Sequence, residues 1–333
     1  MCGVYYYFFK LLIEFNAMPS IAIEIKNLIR YFETGKETVK ALDGINLQIK
    51  TGELFGLLGS NGSGKTTLIK ILCTLLYPTS GEAFVSGINV VKEPEKIRGK
   101  INMVAGEETS GYGILTVREN IWLFSQLYGI ESRLAKKRID ELLELLGLTK
   151  RAHTRIHKIS TGERQKMNLC RGLVTDPDVL FLDEPTVGVD VNSGRTIRDY
   201  LLKWMKNNRK TILLTTHNMV EAEEICDRVA IIDEGKILAL DTPSNLKQML
   251  KNETILELET DIIKNLSFKY KFSKVDNHEK KISNLRFFLK DESTISDIIS
   301  ELSKKGVKIK SLHKSEPKLE DIFIQLVGKN INE

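Results

Sequence analysis

The chain has 333 residues, 28% of them charged and 42% from the AVILMFWYC set, with 49 Lys+Arg against 44 Asp+Glu for a net charge of +5. At about 150 residues per domain this length predicts two domains, and the balance excludes collagen-like, low-complexity and wholly disordered classes. The mild positive charge permits contact with an acidic surface or nucleic acid but argues for neither; Cys2, Cys73, Cys170 and Cys226 lie far apart with no Cys-x-x-Cys pair, which excludes a disulfide scaffold or Cys-rich zinc module and suits a reducing cytosol.

In chain order, the first apolar run is Val4–Phe15 (VYYYFFKLLIEF), broken by Lys10 and Glu14. A spanning helix needs about 18 or more nearly uninterrupted apolar residues, so this run is too short, and no small-residue cleavage site follows it. Residues 1–20 are expected to be an N-terminal extension. The first choice is sequence upstream of a true start at Met18, and the second is an aromatic foot on a membrane surface. No part of the chain is expected to cross a membrane.

Residues 21–50 alternate apolar and polar (IAIEIKNL, then ALDGINLQI), which predicts two strands with a Gly-containing hairpin between them. Leu54–Leu58 reads as a short buried strand, followed by a Gly-rich loop and a helix over Thr67–Leu76. From about 117 to 147 the period is helical. Ser132 is expected to cap a helix with the stripe Ile139, Leu142, Leu143 and Leu146, ended by Gly147. Further strands are expected at Val179–Leu182, Thr211–Thr216 and Val229–Asp233. Apolar strands alternating with helices predict an α/β fold on a mostly parallel sheet, with the helical insert, about 107–175, as a subdomain beside it.

The composition shifts at Asp241-Thr-Pro-Ser-Asn, which puts the first domain at 21–245 and a small C-terminal α/β domain at 246–333. That second domain reads as strands at 255–259, 269–275 and 280–290. Helices striped Ile295/Ile298/Ile299/Leu302 and Leu319/Ile322/Phe323/Leu326 follow, separated by a strand near Val307–Leu312. It carries no Gly loop, paired carboxylates or metal spacing, and no chemistry is expected of it. The chain holds one set of the motifs described next.

Gly59-Ser60-Asn61-Gly62-Ser63-Gly64-Lys65-Thr66-Thr67 follows a buried strand and opens a helix. Glycines let successive backbone N–H groups curl around a phosphate chain, and the helix N-terminus adds positive potential. Lys65 can reach β- and γ-phosphates, and the Thr66 hydroxyl can ligate Mg²⁺. Val179-Leu-Phe-Leu-Asp183-Glu184-Pro185 then delivers two adjacent carboxylates to the carboxyl end of a strand, where ligands bind in open α/β sheets. Asp183 suits Mg²⁺ held through water, and Glu184 suits a general base that polarises water.

His217 ends the apolar strand before it and can donate a hydrogen bond to a phosphate; a structural histidine is the blander reading. Ile159-Ser160-Thr161-Gly162-Glu163 opens another helix, either as an anion-binding nest or as a plain capping box from Ser160 to Glu163.

In this combination and order, over residues 21–245, the sequence resembles the ATP-binding subunits of ABC transporters. The resemblance implies a P-loop ATPase of ABC type, in which an antiparallel β subdomain and a helical insert flank the parallel sheet. GSNGSGKTT looks like the family's phosphate loop, ISTGE its signature and FLDEP its acidic strand. Val187-Gly188-Val189-Asp190 is similar to the loop that crosses the dimer, and His217 to the switch histidine. Phe32 falls where the family stacks an aromatic on adenine, with Tyr31 as the fallback. Pro317-Lys-Leu-Glu-Asp-Ile-Phe323 resembles the tail of ATPases that serve ABC-2-type exporters, including drug-resistance and ion-extrusion groups.

The resemblance further implies ATP with Mg²⁺ and a partner ATP-binding subunit, in the simplest case a second copy. Ser160, Thr161, Gly162 and Glu163 of one subunit would complete the nucleotide site of the other. Integral membrane permease subunits and a place on the cytoplasmic face of the membrane are implied as well. Three positions depart from the pattern. Thr161 replaces a Gly and Glu163 a Gln in the signature, and Gly106-Glu107-Glu108 stands where the family has a Gln that contacts the metal. Glu107 is the expected substitute ligand for Mg²⁺, its carboxylate being a hard oxygen donor.

The rival reading is a soluble ABC ATPase acting on nucleic acid or ribosomes, supported by the basic stretch Arg133–Lys158. A solvated helical face explains that stretch as well, and no nucleic-acid partner is expected. A generic P-loop kinase is a third class, disfavoured by the signature and His217.

Overall fold

The computed structural model describes residues 20–35, 37–105, 111–185, 189–250, 253–262, 270, 272–277 and 282–328. The extension before Ser20 and the expected ligand Glu107 lie outside the described residues. The chain divides into two units, the first ending at Leu240 and the second beginning at Asp241.

In the first unit the alternating segment forms strands β1 (Ile21–Thr34) and β2 (Glu37–Lys50), paired antiparallel. After β3 (Leu54–Leu58), the strand β4 (Ser80–Val85) joins β1 and β5 (Ile88–Asn89) joins β4, giving the order β2-β1-β4-β5. Ile23, Ile25, Leu28, Ile45, Leu47 and Ile49 point inward and share one core with Leu57, Leu68 and Ile71. The inward set steps from Ile25 to Leu28 because the pairing register shifts there, where Asn27 takes φ +48°. Each such fully buried aliphatic side chain contributes about 1.5–3 kcal/mol relative to exposure.

The central sheet adds β6 (Ile101–Ala105), β7 (Val179–Asp183), β8 (Thr211–Thr216), β9 (Arg228–Asp233) and β10 (Lys236–Asp241) in the order β10-β9-β3-β8-β7-β6. The pairs β9/β3, β3/β8, β8/β7 and β7/β6 are parallel. Strands β3, β7 and β8 are buried at every residue, which is why their centres read as apolar runs rather than alternations, with Asp183, Thr215 and Thr216 at the carboxyl ends of β7 and β8. Their register sets Leu58 opposite Thr216 and Asp183 opposite Thr215, so three carboxyl ends stand in one row. The α/β architecture expected from the sequence is the one found.

Several local expectations need correction. The first helix runs Lys65–Leu72, not Thr67–Leu76. Gly64, at φ +109°, turns the chain two residues earlier, and Thr74, at φ +60°, stops the helix before Leu75, which is 67% exposed. In the insert, helices span Val117–Leu127, Ser132–Leu145 and Thr161–Val174. Ser132 is the first residue inside its helix and not its cap; its hydroxyl donates to Gln126 Oε1 at 3.0 Å. The expected stripe Ile139, Leu142, Leu143 and Leu146 is buried. Strands β4, β5, β6 and β10 were not expected from the sequence.

The second unit is an antiparallel sheet of β11 (Thr254–Asp261), β12 (Phe272–Asn277), β13 (Ile282–Leu289) and β14 (Ile309–Ser315), ordered β12-β13-β11-β14. Leu256, Leu258, Leu285 and Phe287 pack with Ile298 and Leu302 of the helix Thr294–Lys304. Ile299, 36% exposed, lies off that stripe, contrary to expectation. Arg286 reaches Glu257 at 2.8 Å and the fully buried Asp321, on the helix Leu319–Val327, at 3.0 Å.

Candidate functional site

The loop after β3 is shaped by positions that admit no side chain. A Cβ on Gly59 would stand 2.4 Å from the Ile232 carbonyl oxygen and 2.5 Å from Ser63 Oγ; one on Gly64 would stand 2.3 Å from the Ala41 carbonyl oxygen. Both would force the backbone apart, so the loop closes tightly on β2 and β9 only with glycine there. Asn61 and Gly62 form its exposed tip, while Ser63 and Gly64 are buried beneath it.

The Lys65 ammonium, 6% exposed, donates to the carbonyl oxygens of Gly59 and Ser60, both at 2.9 Å, which holds a cation within the loop. Burial pushes its pKa down, and the carboxylates of Glu184 and Asp183 pull it back up. Ser63 Oγ is buried with no hydrogen-bond partner among the described residues. Thr67 is half-buried behind Thr66 on the helix that the loop opens.

Across the sheet end, the exposed Thr66 donates its hydroxyl proton to Asp183 Oδ2 at 3.0 Å, and the buried Thr215 donates to Asp183 Oδ1. Both oxygens of Asp183 thus face hydroxyls that fix the carboxylate plane. Glu184 follows at φ +51°, a left-handed conformation unusual for a residue with a long side chain. Its N–H donates to the Thr215 carbonyl at 3.0 Å, continuing the ladder past the end of β7. His217 Nδ1 lies 3.1 Å from Glu184 Oε1, so the two groups predicted separately from sequence form one pair.

A hydroxyl and a carboxylate side by side are the hard oxygens that Mg²⁺ takes from a protein. Among the described residues no group of three or more His, Cys, Asp or Glu side chains could hold an ion alone. An ion between Thr66 and Asp183 would therefore draw its other ligands from water and phosphate, the usual manner for Mg²⁺. The residues present fit that ion.

Among the described residues, no hydrogen bond joins Ser160–Glu163 to this cluster. Ser160 and Thr161 are exposed and Gly162 half-buried. The capping box forms: Ser160 Oγ accepts from the Glu163 N–H at 3.2 Å, and Glu163 Oε2 accepts from the Ser160 N–H at 2.9 Å. Glu163 also accepts from Arg151 Nε at 2.8 Å. The exposed helix start with its donors is compatible with the second, anion-binding reading.

Asp190 is exposed, and its carbonyl accepts from the Gly194 N–H at 2.9 Å in the first turn of the helix Val191–Asn208. On β1 the Tyr31 hydroxyl donates to Asp43 Oδ1 at 2.8 Å, whereas Phe32 carries the Arg30 guanidinium 4.4 Å from its ring centre. Each of the two aromatics thus has a partner within the fold, Tyr31 through its hydroxyl and Phe32 through its ring.

In the basic stretch, Arg138 pairs with Asp176 and Arg151 with Glu163. These pairs suit a solvated helical face better than a nucleic-acid track.

Sequence reasoning missed three contacts at this site. Thr215 holds Asp183, Asp233 Oδ1 accepts from Ser60 Oγ at 3.2 Å, and Gln165 reaches the Pro185 carbonyl. Asp233 carried a usable signal, since it ends an apolar strand as Asp183 does. Thr215 and Gln165 carried none, because their partners lie on other elements.

Two family models match: one described as ABC transporter, over residues 42–187, and one described as the C-terminal domain of DrrA1-3-like ATP-binding proteins, over residues 242–327. The chain is 34% identical over 305 residues to the linearmycin resistance ATP-binding protein LnrL of Bacillus subtilis (strain 168), covering 90% of this chain and 96% of that protein. It is also 34% identical over 233 residues to the ABC transporter ATP-binding protein NatA of the same organism, covering 70% of this chain and 94% of NatA. Among solved structures, the dimeric post-hydrolysis state of the ATP-binding cassette MJ0796 bound to ADP and Pi superposes with a TM-score of 0.62. That match is at 28% identity over 66% of this chain and 98% of that one.

Proposed function

The chain belongs to the ATP-binding subunits of ABC transporters, ATPases that power transport, and we propose that its ATP site is the cluster at the carboxyl ends of β3, β7 and β8. The observation that carries this reading is the meeting of the Lys65–Thr66 helix start, Asp183 and the Glu184–His217 pair at one sheet edge. Phosphates lie against the N–H groups of Gly59–Thr67 and the Lys65 ammonium, and adenine stacks on Phe32. Thr66 and Asp183 would hold Mg²⁺, which when bound supplies charge neutralisation to the phosphates.

The Glu184 carboxylate accepts a proton from the attacking water, and His217 fixes the direction of that carboxylate and contacts the γ-phosphate. Positioning and charge stabilisation carry the reaction, with no covalent intermediate. Ser160 to Glu163 face the nucleotide of a partner subunit, and the segment ending at Asp190 crosses between subunits. ATP then favours the closed dimer by its differential affinity for that state, and loss of the γ-phosphate removes the bridge.

Among the described residues no helix is long and apolar enough to cross a membrane. We infer that separate permease subunits hold the protein at the cytoplasmic face of the membrane. The relatives bearing drug-resistance names and the match at 242–327 support export through ABC-2-type permeases.

The test has two arms. Full-length Glu184→Gln should bind ATP, barely turn it over and accumulate as a dimer in MgATP on size exclusion. The parent chain should copurify with a membrane protein of about six spans, about 18 or more apolar residues each, encoded beside it. Copurification with ribosomes or DNA instead would favour the rival reading, and parental turnover in Glu184→Gln would overturn the site.

A further inference from the structure

The backbone at Glu184 poses a physical question. A Glu at φ +51° sits in a sparsely populated region, and such strain persists only where the surroundings over-determine it. On the amino side the hold is the Glu184 N–H bonded to the Thr215 carbonyl at 3.0 Å. On the carboxyl side it is Gln165, whose Nε2 donates to the carbonyl of Pro185 at 3.0 Å in a buried setting. Gln165 is 4% exposed and stands on the helix Thr161–Val174, which is capped by Ser160.

The bond has two properties that a packing contact lacks. It runs from the last helix of the insert to the turn after β7, twenty residues further along the chain, so it joins the insert directly to the sheet end. It is also buried, so losing the donor would leave the Pro185 carbonyl unsatisfied.

We propose that Gln165 is a positioning residue for ATP hydrolysis. It locks the left-handed turn at Glu184, aims the carboxylate at water, and ties that aim to the helix whose first residues contact the partner's nucleotide. This rests on the reading of Glu184 as the base. Movement of the Ser160 end of the helix on nucleotide contact is transmitted, through one hydrogen bond, to the residue after the base. ATP affinity is not set by this bond, because Gln165 has no hydrogen bond to the loop Gly59–Thr67.

The test uses the full-length chain with Gln165→Leu, Gln165→Glu and, in parallel, Glu184→Gln. Leu keeps the volume and removes the donor; kcat for ATP should fall at least about tenfold while KM and ATP binding stay within about twofold. Glu keeps the shape, and its carboxyl can donate to the Pro185 carbonyl only while protonated. Burial raises the pKa of such a group, so the ratio of Gln165→Glu activity to parental activity should fall as pH rises from about 6 to about 9.

A parental kcat in Gln165→Leu, or a Gln165→Glu ratio that is flat with pH, overturns the proposal. So does a loss confined to KM. Should Gln165→Leu fail to fold by circular dichroism, the Gln165→Glu ratio decides alone. If Glu184→Gln itself turns over at the parental rate, it is the assignment of the base that fails.

Discussion

His217 Nδ1 stands 3.1 Å from Glu184 Oε1, so the first residue beyond β8 and the first beyond β7 form one close pair. The contact gives each group a partner in the resting fold: the carboxylate accepts, and the imidazole is held in one orientation. Glu184→Gln keeps the shape of that pair and removes the base. Turnover should fall by at least about 10²-fold with ATP binding unchanged, as read by steady-state ATPase and fluorescent-nucleotide titration. His217→Ala should give a similar loss of kcat, since the carboxylate then loses its direction.

Lys65 behaves differently because its charge sits inside the loop. It makes two buried bonds, to Gly59 and Ser60, and would contribute the cation that phosphate requires. Lys65→Ala should weaken ATP binding at least about tenfold, since a buried anionic group then lacks its counter-charge. Equilibrium binding with circular dichroism as the folding control is the measurement; unchanged affinity would remove Lys65 from the phosphate site.

Thr215 is buried and spends its hydroxyl on Asp183. Thr215→Val is nearly isosteric, so packing is kept and only the orienting bond is lost. Outer-shell partners of metal ligands are typically worth 10–100-fold in affinity, so the Mg²⁺ concentration for half-maximal ATPase should rise about tenfold. Titration with MgCl₂ at saturating ATP measures it, and a parental midpoint contradicts the placement of the ion at Asp183.

The Glu163 carboxyl lies below its ordinary range, held there first by the Ser160 N–H, against burial, with help from Arg151. Its folded pKa is thus below the unfolded value of about 4.3, so its stabilisation is present above that value and lost as pH falls through the folded pKa. Glu163→Ala should lower Tm at pH 7, with the gap to the parent closing as the pH falls through the folded pKa. Glu163→Gln preserves the box geometry and should show a smaller gap, less dependent on pH.

In the second unit, Arg286 is the hinge of an ionic cluster between Glu257 and Asp321. Burial pushes the Asp321 carboxyl above the usual range, against its bond from the Lys318 N–H and the Arg286 charge. Arg286→Leu strands that group and should cost about 3–5 kcal/mol in urea unfolding. Adding Asp321→Asn should recover part of the loss, and additivity of the two changes would deny the coupling.

Much of this protein was decided by the order of its residues. An unbroken apolar run followed by Gly59–Thr67 can only be a buried strand entering a phosphate-sized loop, and Val179–Asp183 delivers its carboxylates by the same local rule. The α/β class and the family followed from such segments, because strand burial, loop curl and helix capping depend on neighbours within a few residues. Ser160 and Glu163 found each other for that reason.

What only the tertiary structure decided were the contacts made across strands and between elements. That Asp183 faces Thr215, that Glu184 takes φ +51°, and that Gln165 reaches Pro185 depend on parallel register and on how the insert seats against the sheet. The same holds for β4 and β6, which become strands by pairing with β1 and β7. A parallel sheet has no short hairpin to fix its register, so residues remote along the chain meet only once the whole core has packed.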